Sequence, residues 1–132
     1  MKPLLSIRPK WIDLIASGSK TAELRKSFPD YSGRAWVYSC SPVKRIVGWM
    51  KVDHVEHLSV EDLWERLGSS SCVPKDMFDN YYSKSHGGVG LVLNAWHWLP
   101  EPIELKEIGF KAPPQSWRWI DEKILLDRFG HL

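Results

Sequence analysis

The spacing of apolar residues predicts a chain in which short strands alternate with helices. The run PLLSI at residues 3–7 predicts a strand, and residues 9–17 carry apolar side chains at helical spacing before Gly18. From residue 20 to residue 26 the period changes to two, which is typical of a strand. The later pattern predicts strands at 34–40 and 44–58, helices at 59–68 and 74–83, a strand at 87–99, an edge strand at 100–109, a structured loop at 112–120 and a last helix at 121–130.

Three local signals sharpen these boundaries. Ser59 and Asp62 have the spacing of a helix N-terminal capping box, and Gly68 is expected to end that helix. The segment 69–72 is then expected to be a loop. Gly48, inside a predicted strand, marks a bulge or a close approach of another group.

The order of these elements predicts the fold class. The strands follow one another too closely for repeated strand–helix–strand units. We therefore expect an α+β fold in which a small curved sheet of antiparallel or mixed strands closes into a barrel, with helices at its ends. The 132 residues fit one domain over 1–132 with a single core.

Composition excludes several classes of protein. Hydrophobic residues make up 43% and charged residues 26% of the chain, so it is not a disordered polypeptide, and a net charge of +2 does not by itself indicate a polyanion partner. No run approaches the roughly 18 apolar residues of a membrane span, and no signal peptide is recognised, so a cytoplasmic location without membrane association is expected. Cys40 and Cys72 lack the spacing of a zinc or redox motif and are expected to be free thiols.

The strand at 20–26 carries an unusual set of polar side chains. In a regular strand Thr21, Glu23 and Arg25 share one face, and Lys20 lies just ahead of them. Lysine and arginine suit phosphate oxygens, and a carboxylate accepts from an exocyclic amine, so the set could hold a nucleotide. The alternative is an ion pair of Glu23 with Arg25 on a solvated strand face.

These residues resemble the ASCH domain family. The segments SIRPKWIDLIASGSKTAELRK, SPVKRIVGWMKVDHV and PPQSWRW occur in the expected order, and Gly18, Lys20, Glu23 and Arg25 fill the family motif G-x-K-x-x-E-x-R. The resemblance implies a PUA-like β-barrel. It also implies a cleft between the first helix and the barrel, lined by the charged residues, that acts on RNA, other nucleic acid or a modified nucleoside.

Two further segments supply candidate ligand-binding residues. Ser6, Arg8 and Lys10 lie beside the start of the first helix, where free N–H groups favour an anion. Solvation of Arg8 and Lys10 at a helix start is an equal alternative. In the loop stiffened by two prolines, hydrogen bonding to a base edge and ring stacking are expected from Gln115, Ser116 and Trp117.

Binding and catalysis both remain open at the sequence level. The resemblance extends to small amidohydrolases of acetylcytidine and to ribonucleases, in which Lys20 and Glu23 would be the candidate catalytic residues. The amidohydrolases use a Thr three positions after the Lys, where this chain has Glu23, and no carboxylate matches their partner Glu. Binding without turnover is therefore favoured. No cofactor or metal is expected, since His54 and His57 point to opposite faces of a strand.

Overall fold

The computed structural model describes residues 1–130, which form six strands, four α-helices and one 3-10 helix. The predicted order of strands and helices is confirmed up to the strand that begins at Gly87, and the predicted last helix is also present. In chain order the elements are β1 (Lys2–Ile7), α1 (Pro9–Ser17), β2 (Ala22–Arg25), β3 (Gly33–Ser39), β4 (Arg45–Ser59), α2 (Val60–Ser71), α3 (Lys75–Tyr81), β5 (Gly87–Ile103), the 3-10 helix (Leu105–Ile108), β6 (Trp117–Ile120) and α4 (Lys123–Phe129).

The strands form one mixed sheet in the order β2-β5-β4-β3-β1-β6. β1 pairs in parallel with β3, with Leu5 opposite Val37, and antiparallel with β6, with Leu5 opposite Trp117. β2 pairs antiparallel with β5, with Glu23 opposite Leu91. The α+β class and the mixed sheet are therefore confirmed.

Closure of that sheet into a barrel is not observed within residues 1–130. The two edge strands are β2 and β6, and each is only four residues long. Just before β2, the Thr21 N–H donates to the carbonyl of Ser70 at the end of α2 (2.8 Å) rather than to another strand. Strands this short offer too few ladder hydrogen bonds to join one sheet edge to the other.

The first of two compact units contains Met1–Asp13, Arg34–Met50 and the chain from Trp96 onward. Its core includes the fully buried Trp36 of β3, whose indole N–H donates to Glu122 (3.0 Å). Gly48 is a close-approach glycine, because a Cβ there would lie 2.5 Å from the carbonyl oxygen of His97. The sequence-based expectation for Gly48 is confirmed.

The second unit contains Leu14–Gly33 and Lys51–Ala95. Ser59 caps α2 by accepting from the Asp62 N–H (3.2 Å), as predicted. The predicted end of this helix at Gly68 is wrong, because α2 continues to Ser71 and stops where Cys72 adopts a left-handed conformation (φ 61°). Gly68 is instead a packing position, since a Cβ there would lie 2.7 Å from the ring of Trp64.

Two boundaries near the C-terminus also differ from expectation. β5 runs on through the segment predicted as a separate edge strand, and a 3-10 helix ended by Gly109 (φ 86°) follows it. Pro100 and Pro102 are two apart, so their missing N–H groups face the same side of β5 and leave its other side free to pair. The last strand is β6, where a loop was predicted. No helix within residues 1–130 is long and apolar enough to cross a bilayer.

Candidate functional site

The charged residues around β2 form an ion cluster inside the second unit. The Lys20 ammonium donates to the carbonyl of Ser71 (2.7 Å) and lies 3.3 Å from Glu23 Oε1. Arg25 donates through Nε (3.0 Å) and Nη2 (2.7 Å) to the other oxygen, Glu23 Oε2. The ion pair that the sequence analysis left as an alternative is therefore present, and Lys20 extends it to three charges.

Burial distinguishes this cluster from a solvated strand face. Lys20 is 2% exposed, Glu23 7% and Arg25 8%, whereas Thr21 is exposed. The carbonyl of Arg25 also accepts from the hydroxyl of the buried Tyr82 (2.9 Å). Both faces of β2 are thus covered, and the charged cleft expected along this strand is not confirmed. The roles assigned to Lys20, Thr21, Glu23 and Arg25 in ligand capture stay predictions.

The electrostatics of the cluster favour an ionised Glu23. Burial raises the pKa of a carboxyl, but the charges of Arg25 and Lys20 and their hydrogen bonds outweigh that effect and lower the pKa of Glu23 below its ordinary value of 4.5. Burial, with smaller contributions from Tyr81 and Glu23, raises the pKa of Tyr82, so its hydroxyl remains a hydrogen-bond donor. A charged carboxylate thus joins the two cations at neutral pH.

A pH dependence of stability follows from the lowered pKa of Glu23. A carboxyl that ionises more readily when folded adds stability above its unfolded pKa of about 4.5, and this is lost as pH falls through the folded value. We expect the free energy of unfolding to fall below about pH 4.5, and to fall less steeply in Glu23→Gln. Urea titrations of both proteins at several pH values measure this. Equal slopes in the two proteins would contradict it.

The other predicted ligand residues lie in the first unit, around the proline-stiffened loop. Ser6 fixes this loop to β1, because its hydroxyl donates to the carbonyl of Pro114 (2.6 Å) and its N–H donates to the carbonyl of Ser116 (3.0 Å). Gln115 is exposed, and Trp117 is half-buried with its ring perpendicular to that of Trp119 at 5.1 Å. The loop is therefore fixed to β1 by two hydrogen bonds and exposes the Gln115 amide.

The two basic residues near the start of α1 are exposed to solvent. Arg8 and Lys10 are exposed, and the Lys10 ammonium lies 4.8 Å from the centre of the Trp11 ring. The Arg8 carbonyl accepts from the N–H groups of Trp11 and Ile12, which starts α1. Their assignment to an anion site stays a prediction.

A groove of about 660 Å³ opens in the first unit beside the loop. It contains two residues of the predicted set, Ser6 and Gln115, while Arg8, Lys10, Ser116 and Trp117 are not among its lining residues. The groove is lined by Ser6, Tyr38, Cys40, Ser41, Lys44, Arg45, Glu104, Leu105, Lys106, Phe110, Lys111, Pro113, Pro114 and Gln115.

The groove carries four cationic side chains and one carboxylate. Glu104 pairs with Arg45 (2.9 Å) and with Lys106 (3.0 Å). Within residues 1–130, neither Lys44 nor Lys111 forms an ion pair. Both side chains are exposed, so the groove presents two lysines to an anion from solution.

Tyr38 adds a neutral donor to the groove. The residue is 5% exposed, and burial raises the pKa of its phenol above the ordinary value of 10, with Cys40 contributing and Arg45 opposing. Its hydroxyl forms no hydrogen bond with another group in the described part of the chain. A protonated phenol beside two lysines can donate to a phosphate oxygen.

Sequence reasoning missed most of this groove because its residues come from separated segments. Tyr38 lies near the end of β3, Cys40 and Lys44 lie between β3 and β4, and Arg45 begins β4. Lys106 lies in the 3-10 helix, and Lys111 lies after it. None of them belongs to the G-x-K-x-x-E-x-R motif. The available signal was the basic turn SPVKR between two predicted strands, which the resemblance had already singled out.

The histidines set aside in the sequence analysis lie in the second unit at the surface. His54 and His57 are exposed, as expected, and His54 bonds to Asp53 (2.6 Å) and Glu56 (2.9 Å). The hydrogen bond with Asp53 contributes most, and that with Glu56 next, to raising the pKa of His54. In the described range 1–130, no three His, Cys, Asp or Glu side chains are arranged to hold a metal ion.

Comparisons with known proteins show the ASCH domain family. The ASCH domain model matches residues 5–108. A protein of Zymomonas mobilis named "ASCH domain-containing ribonuclease" is 30% identical over 123 residues, covering 89% of this chain and 82% of that protein. The crystal structure of ASCH from Zymomonas mobilis matches with a TM-score of 0.85 and 25% identity over 98% of this chain and 96% of that one. A Ser→Ala variant of it matches with a TM-score of 0.86 and 23% identity over 96% and 93%.

Proposed function

This chain belongs to the ASCH domain family, and from that premise we propose that it binds RNA in the groove of the first unit and cleaves the phosphodiester held there. The observation that carries the proposal is that one groove is lined by Lys44 and Lys111, which form no ion pair within residues 1–130, and by Tyr38 with its neutral hydroxyl. The name of the Zymomonas mobilis relative, which specifies a ribonuclease, supports the same conclusion.

The groove has the chemical groups that a nucleotide needs. Its volume of about 660 Å³ falls in the ordinary range for small-molecule sites. Lys44 and Lys111 suit phosphate oxygens, and the exposed amide of Gln115 suits a base edge. Phe110 adds an aromatic ring to the lining, with the Arg118 guanidinium 4.0 Å from the ring centre. Aromatic rings stack on unpaired bases.

To cleave RNA, such a site must stabilise the negative charge that develops on the phosphate in the transition state. When the ribose 2′-oxygen bonds to the adjacent phosphorus, its proton passes to water, negative charge grows on the non-bridging oxygens, and the bond from phosphorus to the 5′-oxygen breaks. The 5′-oxygen takes a proton from water, and the other fragment ends in a 2′,3′-cyclic phosphate. Preorganised donors stabilise that charge more than they stabilise the substrate. In this proposal the Tyr38 hydroxyl and the Lys44 ammonium are those donors. The ion cluster of Lys20, Glu23 and Arg25 stabilises β2 and takes no part in the reaction.

Salt dependence tests the binding half of the proposal. Each phosphate contact with a single strand contributes about 0.7 to the slope of log affinity against log salt concentration. We expect Lys44→Ala to weaken binding of a short RNA and to reduce the slope by about that amount. Lys84→Ala, which removes an exposed lysine of the second unit, is the matched control and should leave affinity and slope unchanged.

Turnover tests the other half. Purified protein should release fragments from a mixed short RNA, followed by mass spectrometry, and Lys44→Ala should slow the release while Lys84→Ala does not. Acetylcytidine is incubated in parallel. Acetate release that survives Lys44→Ala, without RNA cleavage, would overturn the proposal in favour of the amidohydrolase alternative. Binding without any turnover would reduce it to an RNA-binding domain.

A further inference from the structure

The turn that carries Lys44 has an unusual backbone conformation. Lys44 has φ of 54°, in the left-handed region that non-glycine residues rarely adopt. Upstream, the Val43 N–H donates to the carbonyl of Cys40 (3.2 Å) and closes the turn. A strained backbone conformation persists only when the surrounding structure holds it, so contacts with neighbouring groups must hold Lys44 in this conformation.

Arg45 makes those contacts. Its Nη1 donates to the carbonyl of Lys44 (2.9 Å) and reaches that of Val43 (3.5 Å), while its Nη2 donates to Glu104 Oε1 (2.9 Å). One guanidinium therefore ties the carbonyls of the turn to the carboxylate of Glu104, which also lines the groove. The planar fork of arginine can do this, whereas a lysine ammonium is a single point of charge.

Glu104 is itself fixed at the start of the 3-10 helix. Its side chain accepts from the N–H of Glu107, and its own N–H donates to the Glu107 carboxylate (2.8 Å) in a reciprocal capping box. Lys106 pairs with its second oxygen (3.0 Å). Glu104, which binds Arg45, is thus held in place by the 3-10 helix, and it lines the same groove.

We propose that Arg45 is a positioning residue that holds the Lys44 turn in its left-handed conformation and so aims the Lys44 ammonium at the phosphate. The inference rests on the proposed function, because it gives Lys44 a phosphate to contact. Arg45 acts through Lys44 and need not touch RNA itself. Misplacing a group by about 1 Å can reduce turnover by about 10²-fold, so the expected effect of losing the tie is about 10- to 100-fold in kcat.

Charge and geometry at Arg45 are separated by comparing two variants. Arg45→Lys keeps a cation in the groove but cannot bridge two carbonyls and a carboxylate, and Arg45→Gln removes the charge as well. If Arg45 positions the turn, both variants lose kcat by a similar factor. If Arg45 contributes only charge to the groove, Arg45→Lys retains most of the activity, and the proposal is overturned.

A double-mutant cycle with Lys44→Ala completes the test on the full-length protein, using RNA cleavage with kcat and KM measured separately. We expect Arg45→Gln to add nothing once Lys44 is alanine, because the group that it positions is absent. Additive losses would show that Arg45 contacts RNA directly and would overturn this inference alone. Normal cleavage by Lys44→Ala would overturn the proposed function and this inference with it. Thermal unfolding of each variant identifies any loss caused by unfolding, and activity is then compared at a temperature where all are folded.

Discussion

Replacing Glu23 with glutamine is expected to lower the free energy of unfolding by about 3–5 kcal/mol, because breaking a buried ion pair by removing one partner is strongly destabilising. Here two cations are left: Lys20 and Arg25 are both within hydrogen-bonding or ion-pair distance of the Glu23 carboxylate, and all three residues are at most 8% exposed. The glutamine amide keeps the shape but cannot balance either charge.

The matched control is a surface ion pair in the same unit. Glu56 accepts from Arg66 (2.9 Å), whose side chain is 60% exposed, so Glu56→Gln should cost less than about 1 kcal/mol. Both variants are measured by urea denaturation at pH 7. If Glu23→Gln lowers the free energy of unfolding no more than the control does, the cluster does not stabilise the fold. The cluster would then again be a candidate ligand site.

Replacing Tyr38 with phenylalanine is expected to lower kcat for RNA cleavage by about 10²–10³-fold, which is the usual cost of losing one preorganised donor to a charged transition state. The ring is part of the core and the residue lines the groove, so the change removes the hydroxyl alone. KM and affinity for RNA should change little, since the lysines still hold the phosphate. The melting temperature should also be nearly unchanged, because the hydroxyl makes no hydrogen bond within residues 1–130.

The control for this experiment is a second tyrosine. Tyr81 is exposed in the second unit, and Tyr81→Phe should leave cleavage unaltered. Parallel loss of kcat and RNA affinity in Tyr38→Phe would indicate a ground-state contact. Full activity in Tyr38→Phe would remove the hydroxyl from the reaction.

Local patterns predicted the order of elements as far as β5 because each one is encoded within a few residues. The Ser59 cap and the Gly48 approach were both found this way. The end of α2 was predicted wrongly. A glycine near the end of a helical pattern indicates a helix stop, but Gly68 is a glycine because the ring of Trp64 packs against it. Closure of the sheet depends on edge lengths and on pairing between distant strands, which no local pattern specifies.

The site was harder to predict than the fold for the same reason. The sequence motif drew attention to Lys20, Glu23 and Arg25, but their alternation could not show that both faces of β2 are covered. The groove combines Ser6 of β1 and the end of β3 with residues 40–45 and 104–115, so Tyr38, Lys44 and Lys111 line one cavity only through tertiary structure. Of the candidate ligand residues named from the sequence, Ser6 and Gln115 line this groove.

The most direct test of the account is to map where RNA binds. A short RNA with 2′-fluoro groups, which prevents cleavage by removing the attacking hydroxyl, is titrated into isotope-labelled protein while backbone amide shifts are recorded. We expect the largest shifts at residues 38–45 and 104–115, around the groove, with small changes at residues 20–25. The largest shifts at residues 20–25, with a silent groove, would contradict the account and support the charged strand as the ligand site.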